Sequence, residues 1–209
     1  MVKNITINTH SSIKIAAERI IYADPFKLTE ALHDADIIYI THAHFDHFSP
    51  EDIEKAASDK TIFVIPSSMK EEAAKSGIPS DRIITLNPGD TKEINGINTE
   101  AIPSYNTNKP MHPKSNGWLG YILTVNDVRI YIAGDTDATK DAAKVNCDIA
   151  MVPIGGTYTM DAKEAAALVN RISPRIAIPT HYGSLVGHKK DEKTFTGLLN
   201  ENITAVIKL

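Results

Sequence analysis

One junction near residue 41 constrains the fold more than any other part of the sequence. ADIIYIT (35–41) is a continuous apolar run, which is typical of a strand covered on both faces. It leads directly into HAHFDH (42–47) and then into SPEDIEKAAS (49–58), where Ser49 can cap a helix whose first residue is Pro50. A buried strand that ends in ionisable groups and turns straight into a helix indicates an α/β protein with a site at a sheet edge.

Strands and helices alternate along the rest of the chain. Apolar or alternating runs predict strands at KNITINT, SIKIA, RIIYA, TIFVIP, RIITL, INTEAIPS, GWLGYILTV, VRIYIAG, CDIAMVP, RIAIPT and ITAVIKL. Helices are predicted at SSMKEEAAKSG, at MDAKEAAALVNRI and near KDEKTFTGLLN. No Pro/Gly/Ser-rich linker interrupts the series, so we predict a single domain over residues 1–209 with two β-sheets or one large sheet.

The composition argues against several classes of protein. A formal net charge of −4 gives no general attraction for nucleic acid or for an anionic membrane. Cys147 is the only cysteine, which excludes an intrachain disulfide and Cys-rich zinc modules, and we predict that it is buried. The N-terminus lacks the apolar core of a signal peptide, and no apolar run approaches the roughly 20 residues that span a bilayer. We therefore predict a cytoplasmic location without membrane or nucleic-acid partners.

Ionisable residues lie where four of the predicted strands end. They are Asp24, His42, Asp135 and His181. Because sites in α/β sheets form in the loops beyond the carboxyl ends of strands, we expect these side chains to converge. His42 and His44 are two residues apart, so in extended backbone they leave the same face and can bind one ion. Asp46 and His47 lie past the bend and can face a second ion. Imidazole and carboxylate ligands suit zinc, and also iron, manganese or nickel.

These segments resemble the motifs of the metallo-β-lactamase superfamily. THAHFDH resembles its HxHxDH signature, IAGDT around Asp135 its metal-bridging aspartate motif, and IPTHYG around His181 its last histidine motif. DPF at Asp24 resembles the early aspartate that supports the ligand loop. INTHSSIKI, DPF and YNTNKPMHPK are most similar to the branch of small metal-dependent hydrolases related to L-ascorbate-6-phosphate lactonases. The resemblance implies an αββα sandwich of two mixed β-sheets flanked by helices, with a binuclear site along one edge.

The resemblance also implies a ligand set for two divalent metal ions. The first ion would be held by His42, His44 and His112, the second by Asp46, His47 and His181, and Asp135 would bridge both. His112 enters because the superfamily has a further histidine before the bridging aspartate, although here it lies in the long loop 104–116. If His112 is not a ligand, the first ion keeps an open position or the site holds one ion. Zn²⁺ is favoured, with Mn²⁺, Fe²⁺ or Ni²⁺ as alternatives.

The implied activity is hydrolysis by a metal-bridging hydroxide of a small, anionic ester, lactone or phosphodiester. The leaving group would take its proton from water or from Asp46, if Asp46 is not fully engaged as a ligand. Three alternatives are a nuclease of the same superfamily, a redox di-iron protein and a non-catalytic metal-binding member. A nuclease needs a basic surface, which this mildly acidic chain does not indicate, and di-iron relatives commonly carry glutamate at one histidine of the signature.

Several residues are predicted around the metal ligands rather than among them. Asp24 would orient a ligating imidazole through its other ring nitrogen, although it could be only a turn residue before Pro25. Candidates for lining the substrate cleft are His10, Tyr105, Asn106, Lys109 and Tyr182. A loop lysine could bind an anionic substrate or could be an ordinary solvated charge, and His10 is equally compatible with a structural role. The sequence does not indicate the oligomeric state.

Overall fold

Two β-sheets form the centre of the structure, a computed structural model that describes residues 1–209. The first sheet contains, in spatial order, β1 (Ile5–Ile7), β2 (Ile13–Ala16), β3 (Ile20–Ala23), β4 (Ala35–Tyr39), β5 (Ala57–Pro66) and β6 (Ile83–Leu86). The β1–β3 strands pair antiparallel, and β3 to β6 run parallel to one another. The parallel half carries β3 and β4, after which Asp24 and the histidine segment follow.

The second sheet is also mixed, with antiparallel strands in one half and parallel strands in the other. Its members are β7 (Thr91–Ile94), β8 (Ile97–Pro103), β9 (Leu119–Val125), β10 (Val128–Ile132), β11 (Ile149–Pro153), β12 (Ile176–Thr180) and β13 (Thr204–Ala205). Strands β7 to β10 are antiparallel neighbours, and β10 to β13 are parallel. The parallel half again leads into ionisable residues, here after β10 and β12.

Four helices cover the outer faces of the sheets. They are α1 (Pro50–Ala56), α2 (Lys70–Lys75), α3 (Ala162–Ile172) and α4 (Asp191–Gly197). The Ser49 side chain accepts a hydrogen bond from the Asp52 amide at the start of α1, as the sequence predicted. Asp161 and Glu164 form a capping box at the start of α3. None of the helices combines the length and apolar character needed to cross a bilayer.

The apolar residues divide into three buried clusters that define four layers. The largest lies between the sheets, where the Tyr39 and Tyr121 rings pack with their centroids 5.1 Å apart. A second lies between the outer face of the second sheet and α3 and α4 and includes Cys147, which is buried as predicted. The third packs α1 and α2 on the first sheet. This arrangement confirms the predicted αββα sandwich of two mixed sheets.

Two elements differ from the sequence prediction. Strand β7 was not predicted, because three of its four residues are exposed and two are charged, and its pairing with β8 depends on a hairpin turn. That turn is Asn95-Gly96, with φ of +49° and +84°, which is the signature of a type I′ hairpin. The predicted C-terminal strand ITAVIKL is reduced to the two residues of β13.

Candidate metal centre

The seven side chains proposed as metal ligands from the sequence lie together at one edge of the sandwich. Four come from the segment between β4 and α1, one from the loop between β8 and β9, one from the end of β10 and one from the end of β12. They are His42, His44, Asp46, His47, His112, Asp135 and His181. The side chains at the strand ends therefore converge, as predicted, into a cluster of donor atoms.

His42, His44, His112 and Asp135 form what we call the first ligand group. Their donor atoms all lie within 4.8 Å of one another. The Nε2 atom of His42 faces the Nδ1 atom of His44 at 3.1 Å, and His112 Nε2 lies 3.3 Å from Asp135 Oδ2. His42, His112 and Asp135 are buried, whereas His44 is half-buried at the cleft.

Asp46, His47 and His181, again with Asp135, form the second ligand group. His47 Nε2 lies 3.2 Å from Asp135 Oδ1, and His181 Nε2 lies 3.1 Å from Asp135 Oδ2. Asp46 Oδ2 lies 3.6 Å from His47 Nε2 and 3.5 Å from His181 Nε2. Asp135 is thus the residue shared by both groups, which is the position that a bridging carboxylate needs.

His10 lies in direct contact with the second ligand group. It is fully buried, its Nε2 atom is 3.2 Å from Asp46 Oδ2, and its ring centroid is 3.7 Å from that of His181. The backbone carbonyl of His10 also accepts a hydrogen bond from the His181 amide. His10 therefore lines the cleft and contacts two members of the group.

The buried donor atoms of the cluster are arranged to contact a divalent cation rather than to hydrogen-bond with one another. The Nε2 atoms of His10, His47, His112 and His181 and Oδ1 of Asp135 are buried without a hydrogen-bond partner. Buried polar atoms are normally satisfied, so this many at one point fits a bound cation. A set of imidazoles and carboxylates suits zinc, iron, manganese or nickel.

Asp24 lies behind the segment that carries the proposed ligands, in contact with His47 and Thr41. Its Oδ2 atom is 2.7 Å from His47 Nδ1, and the Thr41 amide and hydroxyl donate to the same carboxylate at 2.8 and 2.6 Å. The Thr41 hydroxyl oxygen also lies 2.9 Å from His42 Nδ1. These contacts leave the Nε2 atoms of both histidines directed into the cluster, which is the arrangement that orients metal-ligating imidazoles.

Asn106 plays the corresponding part for His112, which the sequence did not indicate. Its side-chain oxygen lies 2.9 Å from His112 Nδ1, and its amide nitrogen donates to Asp137 at 3.1 Å and to the Tyr158 carbonyl at 2.9 Å. Lys109 is 2.6 Å from the same Asp137 carboxylate. Asn106 and Lys109 thus hold the loop that carries His112, rather than forming the wall of the cleft.

Backbone conformations at two strand ends bring the ligands close together. His181 has φ of +57°, in the left-handed region, directly after β12. Gly155 lies against this turn, and a Cβ atom there would approach the His181 carbonyl oxygen to 2.3 Å, so only glycine fits. Gly134, with φ of +63°, similarly allows the segment before Asp135 to pass close to Thr41.

The pKa of His47 in the second group and that of His42 in the first group shift in opposite directions. Burial acts to lower the pKa of His47, but the carboxylates of Asp135 and Asp24 outweigh it and raise that pKa well above 6.5. Burial, reinforced by the His47 imidazole, holds the pKa of His42 well below 6.5. Burial acts to raise the pKa of Asp135, yet the imidazoles of His181 and His47 outweigh it and keep its pKa well below the ordinary value. Asp135 is accordingly a carboxylate ready to bind cations.

A cleft of about 380 Å³ opens over the cluster. Its lining consists of His10, His44, Phe45, Asp46, Met111, His112, Asp135, Tyr158, His181, Leu185 and Val186. Of the five residues predicted to line a substrate cleft, only His10 is among them. The Tyr105 hydroxyl donates to Asp141, and the Tyr182 hydroxyl donates to Glu192, so both side chains are engaged elsewhere.

Trp118 lies against the first ligand group. Its ring centroid is 5.0 Å from those of His42 and His44 and 5.6 Å from that of His112. The sequence carried no signal for this contact, because Trp118 belongs to an apolar run and is placed only by the fold. As the single tryptophan, it provides a fluorescence probe of the site.

Known proteins share this fold and these segments. The family described as "Beta-lactamase superfamily domain" matches residues 4–181. A UPF0173 metal-dependent hydrolase from Thermococcus onnurineus is 31% identical over 95% of this chain and 92% of that protein. The corresponding protein from Pyrococcus horikoshii is 30% identical over 95% of this chain and 92% of its own length.

Solved structures agree with the sequence relatives. A candidate metal-dependent hydrolase from Parabacteroides distasonis superposes with a TM-score of 0.81 at 30% identity, covering 98% of this chain and 92% of that one. Igni18, a metallo hydrolase from Ignicoccus hospitalis, gives a TM-score of 0.75 at 21% identity over 98% and 94% of the two chains, which shows the fold alone. The predicted superfamily is confirmed, while the finer relation to L-ascorbate-6-phosphate lactonases stays a prediction. The chain therefore belongs to the β-lactamase superfamily and, within it, to the UPF0173 family of metal-dependent hydrolases.

Proposed function

We propose that the protein hydrolyses a small-molecule ester, lactone or phosphodiester with two divalent metal ions, of which Zn²⁺ is favoured. The observation that carries this proposal is the Asp135 carboxylate, which contacts histidines of both ligand groups from its two oxygens. A pair of bound cations would supply Lewis acidity and lower the pKa of a coordinated water toward about 7.

The protein's own residues would bind, orient and protect this centre. His42, His44 and His112 would ligate one ion, with Thr41 at the Nδ1 atom of His42 and Asn106 at the Nδ1 atom of His112. Asp46, His47 and His181 would ligate the other, with Asp24 behind His47. Burial of Asp135 and the inner histidines excludes competing water from the ligands.

Asp46 has two conceivable roles, as a ligand and as a proton donor to the leaving group. Burial acts to raise its pKa, but contacts with His10 and His181 outweigh it and keep that pKa below the ordinary value. Asp46 is therefore a carboxylate, which favours the ligand role and leaves solvent as the proton donor.

The nuclease alternative gains no support from the surface around the cluster. No lysine or arginine lines the cleft, and the formal net charge is −4. Proteins that bind nucleic acid depend on such positive groups for most of their affinity. A small-molecule substrate fits the enclosed cleft better than a polyanionic strand does.

The proposal is tested by measuring metal content and hydrolysis on the same preparation. The full chain is loaded with zinc or manganese, quantified by elemental analysis, and assayed against ester, lactone, thioester and phosphodiester panels before and after chelation. We expect about two ions per chain and turnover that disappears on chelation and returns with metal. Full metal loading without turnover of any panel member would favour the non-catalytic alternative.

A further inference from the structure

The mouth of the cleft is unusually apolar. Seven large hydrophobic side chains of the chain are exposed, and four of them line this one cleft. They are Phe45, Met111, Tyr158 and Leu185. Single exposed hydrophobic residues are ordinary on protein surfaces, but a group gathered around one cavity marks a binding site.

These four residues reach the mouth from separate parts of the chain. Phe45 lies between two proposed ligands, is 67% exposed, and packs edge-on against Phe26 at a centroid distance of 5.9 Å. Met111 precedes His112 in the long loop, and Leu185 lies four residues after His181. Three of the four rim residues therefore belong to segments that carry proposed metal ligands, and Tyr158 joins them from the connection between β11 and α3, so the rim and the cluster line the same cleft.

The rim offers no partner for a negative charge. Lysine and arginine are absent from the lining of the cleft. Two lysines of the long loop are paired with carboxylates: Lys109 with Asp137 at 2.6 Å and Lys114 with Asp141 at 2.9 Å. A charged group placed at the rim would lose water without gaining an ion pair.

We propose that the substrate is a neutral ester or lactone whose non-reacting part is a single alkyl or aryl group, held by Phe45, Met111, Tyr158 and Leu185. This inference rests on the proposed function, and it replaces the anionic substrate expected from the sequence. The cleft volume of about 380 Å³ is at the small end of ligand pockets, which run from about 300 to 1,000 Å³. One such group therefore fills it.

Binding of alkyl hydroxamates to the zinc-loaded protein tests the inference without requiring turnover. The hydroxamate head chelates metal, and the tail extends towards the rim. Calorimetry should show affinity rising by up to about fourfold for each added methylene until the mouth is filled. A tail of equal length ending in a carboxylate should bind at least about tenfold more weakly, because its charge is desolvated without a partner.

Matched variants locate the effect. In a Tyr158→Ala, Leu185→Ala double variant with unchanged zinc content, the gain in hydroxamate affinity per added methylene should fall to half or less. Leu198→Ala is the control, because Leu198 is also an exposed hydrophobic residue but does not line the cleft. The Leu198→Ala variant should keep the full dependence of hydroxamate affinity on tail length.

The outcomes separate this inference from the proposed function. Affinity that does not change with tail length, or tighter binding of the carboxylate-ended tail, would overturn the apolar site even if esters are hydrolysed. Tail-dependent binding together with no hydrolysis of any ester, lactone or phosphodiester would overturn the proposed function while leaving the apolar site. Failure to bind zinc and also manganese, iron and nickel would overturn both.

Discussion

The two ligand groups lie at the same edge of the sandwich but depend on different parts of the fold. In the second group, His181 directly follows β12, and His47 is held by the buried carboxylate of Asp24. In the first group, His112 is carried by a long loop and is oriented through Asn106. The second group is thus positioned by segments next to the sheets, whereas the first group has one ligand, His112, whose position depends on how a long loop folds.

The largest effect should come from Asp135→Asn, because Asp135 is the residue that both groups share. Losing one supporting partner of a metal ligand costs roughly 10- to 100-fold in affinity or activity, and a shared ligand should cost more. We expect both ions to be lost together with hydrolysis, while circular dichroism shows an intact fold. His33→Ala is the control, since His33 is exposed and distant from the cluster. Two retained ions would remove Asp135 from the bridge.

His112→Ala should separate the groups. The second group has its own support from Asp24 and from the end of β12, so it should keep its ion while the first group loses affinity. Elemental analysis and native mass spectrometry should show about one ion per chain instead of two. An unchanged count would mean that His112 is not a ligand, and loss of both ions would mean that the groups do not bind independently.

Acidification should release the ions in a defined order. The carboxylates of Asp135 and Asp24 raise the pKa of His47 above 6.5 despite burial, so a proton competes with a cation at the second group while the pH is still above that value. Burial lowers the pKa of His42, so protons compete there only at lower pH. Between about pH 8 and 5 the second group should lose its ion first. The first group should lose its ion at a lower pH, and the fluorescence of Trp118, which lies against that group, should report this loss. Earlier release from the first group would reverse the assignment.

The smallest effect should come from Asn106→Ala, which removes the partner of His112 Nδ1 but no ligand. Metal affinity of the first group should fall by about 10- to 100-fold, with the second group unchanged. Asn108→Ala is a matched control in the same loop, where Asn108 is exposed. Titration with a competing chelator gives both affinities, and equal behaviour of the two variants would show that Asn106 does not orient His112.

Local patterns predicted the alternation of strands and helices and the convergence of ionisable side chains, whereas the αββα arrangement was implied by the resemblance to the metallo-β-lactamase superfamily. Continuous apolar runs such as residues 35–41 mark buried strands, and ligands placed where such strands end must converge once the strands share a sheet. The role of Asp24 followed from the same rule, since Asp24 ends β3 next to β4.

Contacts that depend on the folding of the long loop were not predictable in the same way. Asn106 and Lys109 were expected in the cleft, but the structure directs both to Asp137, some thirty residues further along the chain. The apolar rim was missed because exposed apolar residues in loops have no periodic signal. Only the tertiary arrangement shows that Met111 and Tyr158 face the same opening.

The central claim is that a shared carboxylate joins two cation sites, and diffraction recorded at the zinc absorption edge tests it most directly. Crystals of the zinc-loaded protein should show two anomalous peaks about 3.5–4 Å apart, with Asp135 in contact with both. One peak should contact His42, His44 and His112, and the other His47 and His181. A single peak remote from Asp135, or none beside these imidazoles at full zinc occupancy in solution, would contradict it.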